Sequence, residues 1–530
     1  MGVAVVWLKR DLRTIDHAPL AEAARSGPMI VLYVYEPCVL DQPEFHPQHL
    51  RFANDCLREV GARLRELGGR LTLRIGPMPN VLERLHRELE SAGGIAGLFS
   101  HEETGTLATY ERDKAVARWC ASAGVRWREI PQHGVQRPSP GRDGWAARWQ
   151  RRMREPITPE PTRLAPIDTL LSKLPSGKAR PKFDHGRIMD ARDLGIADEP
   201  PLRSQPGGMT RGRSLLESFL TDRGRLYRTQ MSSPVVAFDA CSRLSPHLAY
   251  GSVSIREAYQ RAANARSEHN EAGDTRFAAS VTSFLGRLRW HCHFIQKLED
   301  QPDLERVNMS RAYDGLRVED EADWTDRDRA QFEAYRAGQT GYPMVDACMR
   351  ALHTGGWINF RMRAMLMSFA SYHLWLHWRP TAIHLARLFV DYEPGIHYCQ
   401  CQMQSGTTGI NTPRIYSPTK QVIDHDPTGV FIREHVPELA GVPDEFIAEP
   451  WKMPGMTQHM AGCSIGEDYP EPIVNHANAY RRARDRLFAV RGTRQARSEA
   501  KRVYQKHGSR RPPRSRGRNE DRGGALDRAS

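Results

Sequence analysis

The chain of 530 residues carries a net charge of +13, yet residues 491–530 alone hold 13 Lys or Arg against 4 Asp or Glu, so the rest is nearly neutral and overall basicity does not by itself indicate a nucleic-acid partner. A chain of this length, 40% hydrophobic and 26% charged, exceeds one ordinary core and is expected to fold as two or three units. No apolar run reaches membrane-spanning length, charged residues follow the first apolar stretch in the wrong order for a secretory leader, and nine scattered cysteines read as reduced thiols, so a cytoplasmic monomer is expected.

In chain order, β-branched apolar runs at Val3–Leu8, Met29–Tyr35, Leu71–Ile75, Ile95–Phe99 and Val125–Ile130 alternate with helical patterns such as Leu50–Leu67 and Val81–Ala92. This alternation predicts a doubly wound parallel sheet over residues 1–132. No glycine-rich fingerprint follows the first strand, which excludes an ordinary NAD site. Residues 133–212 are rich in Pro, Gly, Arg and Ser and read as an inter-domain connector, with a short helix near Trp145–Met153. From 213 to 490 apolar residues recur at helical spacing, for example over Ile255–Ala265, Arg276–Leu298 and Arg361–Leu376. Residues 491–530 read as a disordered basic tail, serving either as an electrostatic arm or as a solvated terminus. The expected fold class is an α/β N-terminal domain followed by a mostly α-helical domain.

The densest chemistry lies between Gly338 and Leu439. TGYPMVDACMR (Thr340–Arg350), GWINFRMR (Gly356–Arg363), HWRP (His377–Pro380) and RIYSP (Arg414–Pro418) follow in order, after VVWLKRDLRTIDHAPL (Val5–Leu20), SRLSPHLAYGSVS (Ser242–Ser254) and LRWHCHF (Leu288–Phe294). Ser245 before Pro246 reads as a helix N-cap suited to an anion. In this order the motifs resemble those of the cryptochrome/photolyase family, over about residues 3–490.

The resemblance implies FAD in the helical domain and a second, antenna chromophore of unspecified identity in the α/β domain. By resemblance, Tyr227, Cys241, Ser242, Leu244 and Ser245 hold the phosphates, with Arg243, His291 and Tyr392 also on the cofactor. Arg363 and Asp391 form an ion pair beside the flavin's reactive edge, and Glu393 contacts the ribityl chain or ring. His397 stands where relatives place a small polar residue, and a histidine titrating near neutrality would bear on the flavin redox state. Trp378 and Trp324 match the middle and outer stations of the family's tryptophan chain, whereas Cys401 occupies the inner one, with Tyr398 or Trp375 as aromatic replacements.

Trp290 keeps the stacking platform for a flipped dimer. Arg287, Phe360, Ala364 and Met403 depart from the family's cavity residues, and Arg287, Trp290, Phe360, Met403, Arg414 and Gln421 are the expected DNA contacts, with Arg433 on the same side. The implied activity is blue-light-driven repair of pyrimidine dimers in UV-damaged DNA by electron transfer from excited reduced flavin, that of a deoxyribodipyrimidine photo-lyase. The alternative is a photoreceptor with the same cofactor, no repair, and a protein partner. No metal is expected: His291-Cys292-His293 and Cys399-Gln400-Cys401 are spaced too tightly for ordinary ligand pairs.

Overall fold

Five short strands, β1 (Val3–Leu8), β2 (Met29–Tyr35), β3 (Leu71–Ile75), β4 (Ile95–His101) and β5 (Arg126–Ile130), form one parallel sheet in the order β3-β2-β1-β4-β5. This computed structural model describes residues 2–172, 183–197 and 203–509. Successive side chains of a strand point to opposite faces. In β1, Ala4, Val6 and Leu8 therefore enter one core with Phe52, Leu57 and Leu64 of the helix Pro47–Glu66, while Val3, Val5 and Trp7 enter another with Val81, Leu82 and Leu85 of the helix Met78–Glu88. A sheet covered on both faces needs apolar residues at every position of its central strand, and β1 is buried throughout. The strand order reverses between β1 and β4, and in doubly wound sheets ligands bind in the crevice beyond the carboxyl ends at that point.

The helical half is built around the 26-residue helix Thr275–Asp300. Its Phe277, Val281, Phe284, Leu288, Cys292 and Ile295 recur at three- and four-residue spacing and form one buried stripe. The helix Pro394–Ser405 crosses this helix closely at Gly395, where a Cβ would lie 2.6 Å from the Ile295 Cα. That approach puts the residues following Gly395 against the centre of the helical core.

Two segments differ from expectation. Residues 133–172 are more than a connector: the helix Trp145–Arg154 sends Trp145, Trp149 and Met153, spaced four apart, into the core of the helical half, and Pro166 bridges to Met29. Residues 491–509 are not a loose tail. The helix Arg494–His507 buries Val503 and His507, and His507 Nε2 lies 2.9 Å from Gln301 Oε1. The RRPPRSRGRNEDRGG stretch lies outside the described residues.

The two halves meet where the turn after β1 touches the loop at Tyr250 and Gly251. Leu12 N–H donates to Tyr250 O at 3.0 Å and Arg13 Nη1 to Gly251 O at 2.9 Å. Gly251 has φ +64° and a Cβ there would sit 2.3 Å from Arg10 O. A side chain at this position would thus meet both backbone strain and a clash with main chain. Gly251→Ala is expected to lower the unfolding free energy by about 2 kcal/mol or more, read from urea denaturation; an unchanged midpoint would show that the seam tolerates displacement.

Candidate cofactor and substrate site

Arg363, on the helix Phe360–Ser368, and Asp391, in the loop after the helix Trp378–Leu388, form a bidentate pair with both N–O distances at 2.9 Å. The Arg363 Nε donates to Ile358 O at 2.8 Å and its guanidinium lies 4.2 Å from the Phe389 ring centre. Burial pushes the Asp391 carboxyl up, but Arg363, Ser245 and Arg243 outweigh it and hold the carboxyl below its usual range. Asp391 is thus the ionised centre of a basic neighbourhood.

Around Asp391 lies a cradle of cations. Burial pushes the Cys241 thiol up to about 11, while Arg243, Arg223, Arg287 and Arg363 all act on it in the opposite sense. Tyr227, buried beside Cys241 and Arg287, is pushed up to about 12. Arg243 has φ +59° and is sandwiched between Phe238 and Trp357, at 3.8 and 4.0 Å from their ring centres. Its Nη1 is buried without a hydrogen-bond partner, and burial lowers its pKa to about 10. With Arg363 taken by Asp391, the buried Arg243 with its unpartnered donor and the neighbouring Arg223 and Arg287 leave net positive charge that an anion such as a pyrophosphate would satisfy.

The structure departs from the expected N-cap at Ser245. The short helix Ser245–Ala249 begins at Ser245 itself, its cap is Leu244 in helical conformation, and no side chain caps it. The Ser245 hydroxyl instead acts on Asp391. Ser242 Oγ accepts from Leu244 N–H at 3.4 Å, so the loop Ser242–Ser245 is held from within.

His397 is also corrected. Burial pushes its pKa down to about 4, so it is neutral rather than titrating near neutrality. Its Nε2 lies 2.8 Å from Ala382 O, which can only accept; Nε2 therefore carries the proton and Nδ1 keeps a lone pair. His291 is likewise neutral, pushed down to about 4. Glu393 turns toward the α/β half: it pairs with Arg10 at 3.5 Å, Arg10 also donates to Tyr392 O at 2.6 Å, and burial raises Glu393 to about 7.

On the outer side, Trp290 is 41% and Phe360 47% exposed. Trp290 stacks on Phe294 at 5.5 Å, and the Arg287 guanidinium lies 5.7 Å from the Phe360 ring, so Arg287 joins the Tyr227 side of the cradle to this aromatic rim. Met403 is half-buried and Arg414 exposed. Gln421 is 5% exposed, with its Oε1 buried and without a partner, so it does not stand open on the surface as Trp290 and Phe360 do. Arg433 is engaged with Asp444 at 2.7 Å.

Trp378 is fully buried and donates to Asn308 Oδ1 at 2.8 Å, and Trp324 is 4% exposed. Next to Trp378, Tyr398 packs edge-on at 6.0 Å and donates its hydroxyl to Glu44 of the α/β half. Trp375 lies apart, between Arg317 and Arg486. Sequence reasoning missed Arg10, Glu44, His49, whose Nε2 is 3.0 Å from Phe389 O, and the Phe238–Trp357 clamp. Only the run of charges directly after β1 signalled any of these.

A second polar cluster fills the crevice beyond β1 and β4. Arg112 pairs with Glu36, Glu103 and Asp113 at 3.1, 2.6 and 2.8 Å, Glu36 is raised to about 7 by burial, and Lys9 Nζ is buried without a hydrogen-bond partner. Among the described residues, the one group with metal-ligand proximity is Asp11, His17 and His101. It is accounted for by hydrogen bonding: His101 Nδ1 lies 2.7 Å from the Asp11 carboxylate, and His17 caps Leu20 N–H. His291, Cys292, His293, Cys399 and Cys401 are not brought together as ligands.

Many buried histidines here are held neutral, His397 and His291 at about 4 and His49, His373 and His384 at about 3, each by burial. Unfolded histidine protonates near 6.5. As pH falls from about 6.5 to 4 the unfolded chain therefore binds protons that the folded chain refuses, and stability drops. Urea midpoints are expected to fall steadily across that window, with a shallower slope in His397→Gln; a flat profile would contradict the neutral assignments.

With this geometry in place, the model of the FAD binding domain of DNA photolyase matches residues 284–489, and that of DNA photolyase matches residues 4–141. The chain is 31% identical to a deoxyribodipyrimidine photo-lyase of Streptomyces griseus, over 90% of this chain and 98% of that one. It is 28% identical to cryptochrome DASH of Gloeobacter violaceus, over 89% and 93% of the two chains. A bacterial class III photolyase from Agrobacterium tumefaciens superposes with a TM-score of 0.77 at 25% identity, covering 93% of this chain and 98% of that one.

Proposed function

The chain belongs to the DNA photolyase and cryptochrome family and carries its FAD-binding domain, and from that premise we propose that it is a FAD-dependent enzyme that uses blue light to repair pyrimidine dimers in UV-damaged DNA. The observation that carries the reading is the continuity of the basic cradle around Asp391 with the exposed rim of Trp290, Phe360 and Arg287. One face suits a pyrophosphate-bearing cofactor and the other an extruded base.

Bound FAD supplies light-driven one-electron chemistry. Arg243, Arg287 and the Ser242–Ser245 loop would hold its phosphates, and the Arg363–Asp391 pair would offer its ring a charged hydrogen-bonding edge. Neutral His397 keeps a lone pair at Nδ1, which accepts from an N–H and discourages another acceptor. Trp290 offers a stacking face to a flipped base, a contact of about 1–3 kcal/mol per base. The cyclobutane reaction needs no general acid or base from the protein, which agrees with an aromatic and cationic rim.

Cys401 cannot serve as an aromatic station, and we assign that role to Tyr398. Tyr398 would be the residue that loses an electron, its phenol proton passing along the existing hydrogen bond to Glu44, and Trp378, edge-on at 6.0 Å, would supply the replacement electron. A light-harvesting chromophore belongs, in this reading, to the crevice beyond β1 and β4, where Lys9 Nζ has ion pairs to Glu103 and Asp113 and no hydrogen bond.

Oligonucleotides bearing one defined dimer are expected to be restored under blue light with reductant. Trp290→Ala should weaken their binding by about 1–3 kcal/mol. Restoration of neither cyclobutane nor (6-4) lesions, with flavin still bound, would move the assignment to a photoreceptor. Asp391→Asn leaves Arg363 without its counter-charge and is expected to lower the flavin-to-protein ratio by about tenfold or more; undiminished yellow protein would refute the cradle. Tyr398→Phe keeps the ring but removes the proton, and should slow flavin photoreduction and abolish its solvent deuterium isotope effect; identical kinetics to the parent would exclude the Tyr398–Glu44 relay.

A further inference from the structure

Away from the flavin side, a cavity of about 240 Å³ opens between the helix Asp326–Ala337, the segment 372–375 and the helix His476–Arg491. Arg327, Arg482 and Arg486 stand exposed around its mouth, and among the described residues none of them pairs with a carboxylate. Their neighbours on the same helix behave differently: Arg481 donates to Asn478 Oδ1 at 2.6 Å and Arg484 binds Asp485 at 3.1 Å. Asp328, the one acid in the lining, is occupied by the Thr325 N–H and hydroxyl at 3.1 and 2.7 Å in a capping box. Three arginines against one aspartate leave the cavity with net positive charge.

Its floor is built rather than incidental. Trp375 has φ +62° and lies between Arg486, 4.8 Å from its ring centre, and the buried Arg317 at 4.5 Å. Arg317 is fixed from behind by Ser371 O and Ser405 O, at 3.0 and 3.1 Å, and burial with Arg486 nearby lowers its pKa to about 10. His373, only 3% exposed, lines the same cavity with Nδ1 unpartnered, while its Nε2 lies 2.8 Å from His476 Nδ1. One ring donates and the other accepts across this contact, which leaves Nδ1 of His373 as a buried polar atom facing the cavity without a partner. Three guanidiniums without carboxylate partners above a buried ring nitrogen that has no partner of its own call for a polar ligand, and the guanidiniums call for an anion with several oxygens.

We propose that the cavity bounded by Arg327, Arg482, Arg486 and His373 is a binding site for a small phosphate-bearing ligand, separate from the flavin cradle. Guanidiniums meet phosphate oxygens with paired, charge-assisted hydrogen bonds, and the indole of Trp375 provides a flat wall for whatever the phosphate is attached to. The volume admits a phosphate or pyrophosphate with a small organic body and no folded partner.

The test uses the full chain with its cofactor loaded, so that pyrophosphate cannot report on the flavin site. Isothermal titration with inorganic pyrophosphate is expected to show saturable binding in the parent and in Arg481→Glu, weakened about tenfold or more in the Arg482→Glu/Arg486→Glu double variant. His373→Phe, which keeps an aromatic ring but removes the unpartnered nitrogen, should weaken it as well, with flavin absorbance and thermal unfolding checked in each variant. No saturable binding, or equal affinity in parent and double variant, overturns the proposal. So does a double variant that loses affinity only for undamaged duplex DNA, because the arginines would then be backbone contacts of a nucleic-acid surface.

Discussion

The turn that leaves β1 is the constraint on which both halves depend. In the eight residues from Lys9 to Asp16, each charged side chain has a different destination. Lys9 enters the carboxylate cluster of the crevice, Arg10 reaches Glu393 and Tyr392 O, and Asp11 collects His17 and His101. Arg13 holds Gly251 O, and Asp16, in left-handed backbone, receives Arg256 from the helix Ile255–Glu271. Burying so many charges is tolerable only because each lies against an opposite charge or a hydrogen-bond acceptor, Lys9 through ion pairs of 3.9 and 3.7 Å to Glu103 and Asp113, and breaking a buried pair costs several kcal/mol. The turn thereby ties the sheet, the crevice and the loop carrying Asp391 into one unit.

This explains how much of the molecule was legible beforehand. The strands could be read because a doubly covered sheet demands unbroken β-branched runs, as in Met29–Tyr35. Arg363 and Asp391 could be read because they lie in distinctive motifs near one another in sequence. Arg10 to Glu393 and Glu44 to Tyr398 could not, since these pairs join residues some 350 or more positions apart, and local pattern carries no record of such contacts. Ser245 was misread because the serine-proline signal fits either the cap or the first turn, and here Leu244 takes the cap. The burial of Gln421 was not legible because helix phase, not composition, decides which side of Pro418–His425 is buried.

Burial also settles the protonation states on which the site's chemistry rests. Around the cradle it keeps His397 and His291 neutral, holds Cys241 and Tyr227 protonated, and leaves the arginines and Asp391 as the ionised groups. A cofactor entering such an environment meets fixed charges and fixed lone pairs. Across the seam, the Tyr398 hydroxyl is tied to Glu44.

The helix Arg494–His507 gives the basic end of the chain a different character from a loose arm. Because Val503 and His507 anchor it, its cations, among them Arg494, Arg497, Lys501 and Lys506, are displayed on a surface already ordered. A polyanion meeting them would not have to pay for freezing a flexible segment. In exchange these charges cannot search the surrounding volume, so they act only on partners that arrive in one orientation, at a spacing dictated by the helical rise.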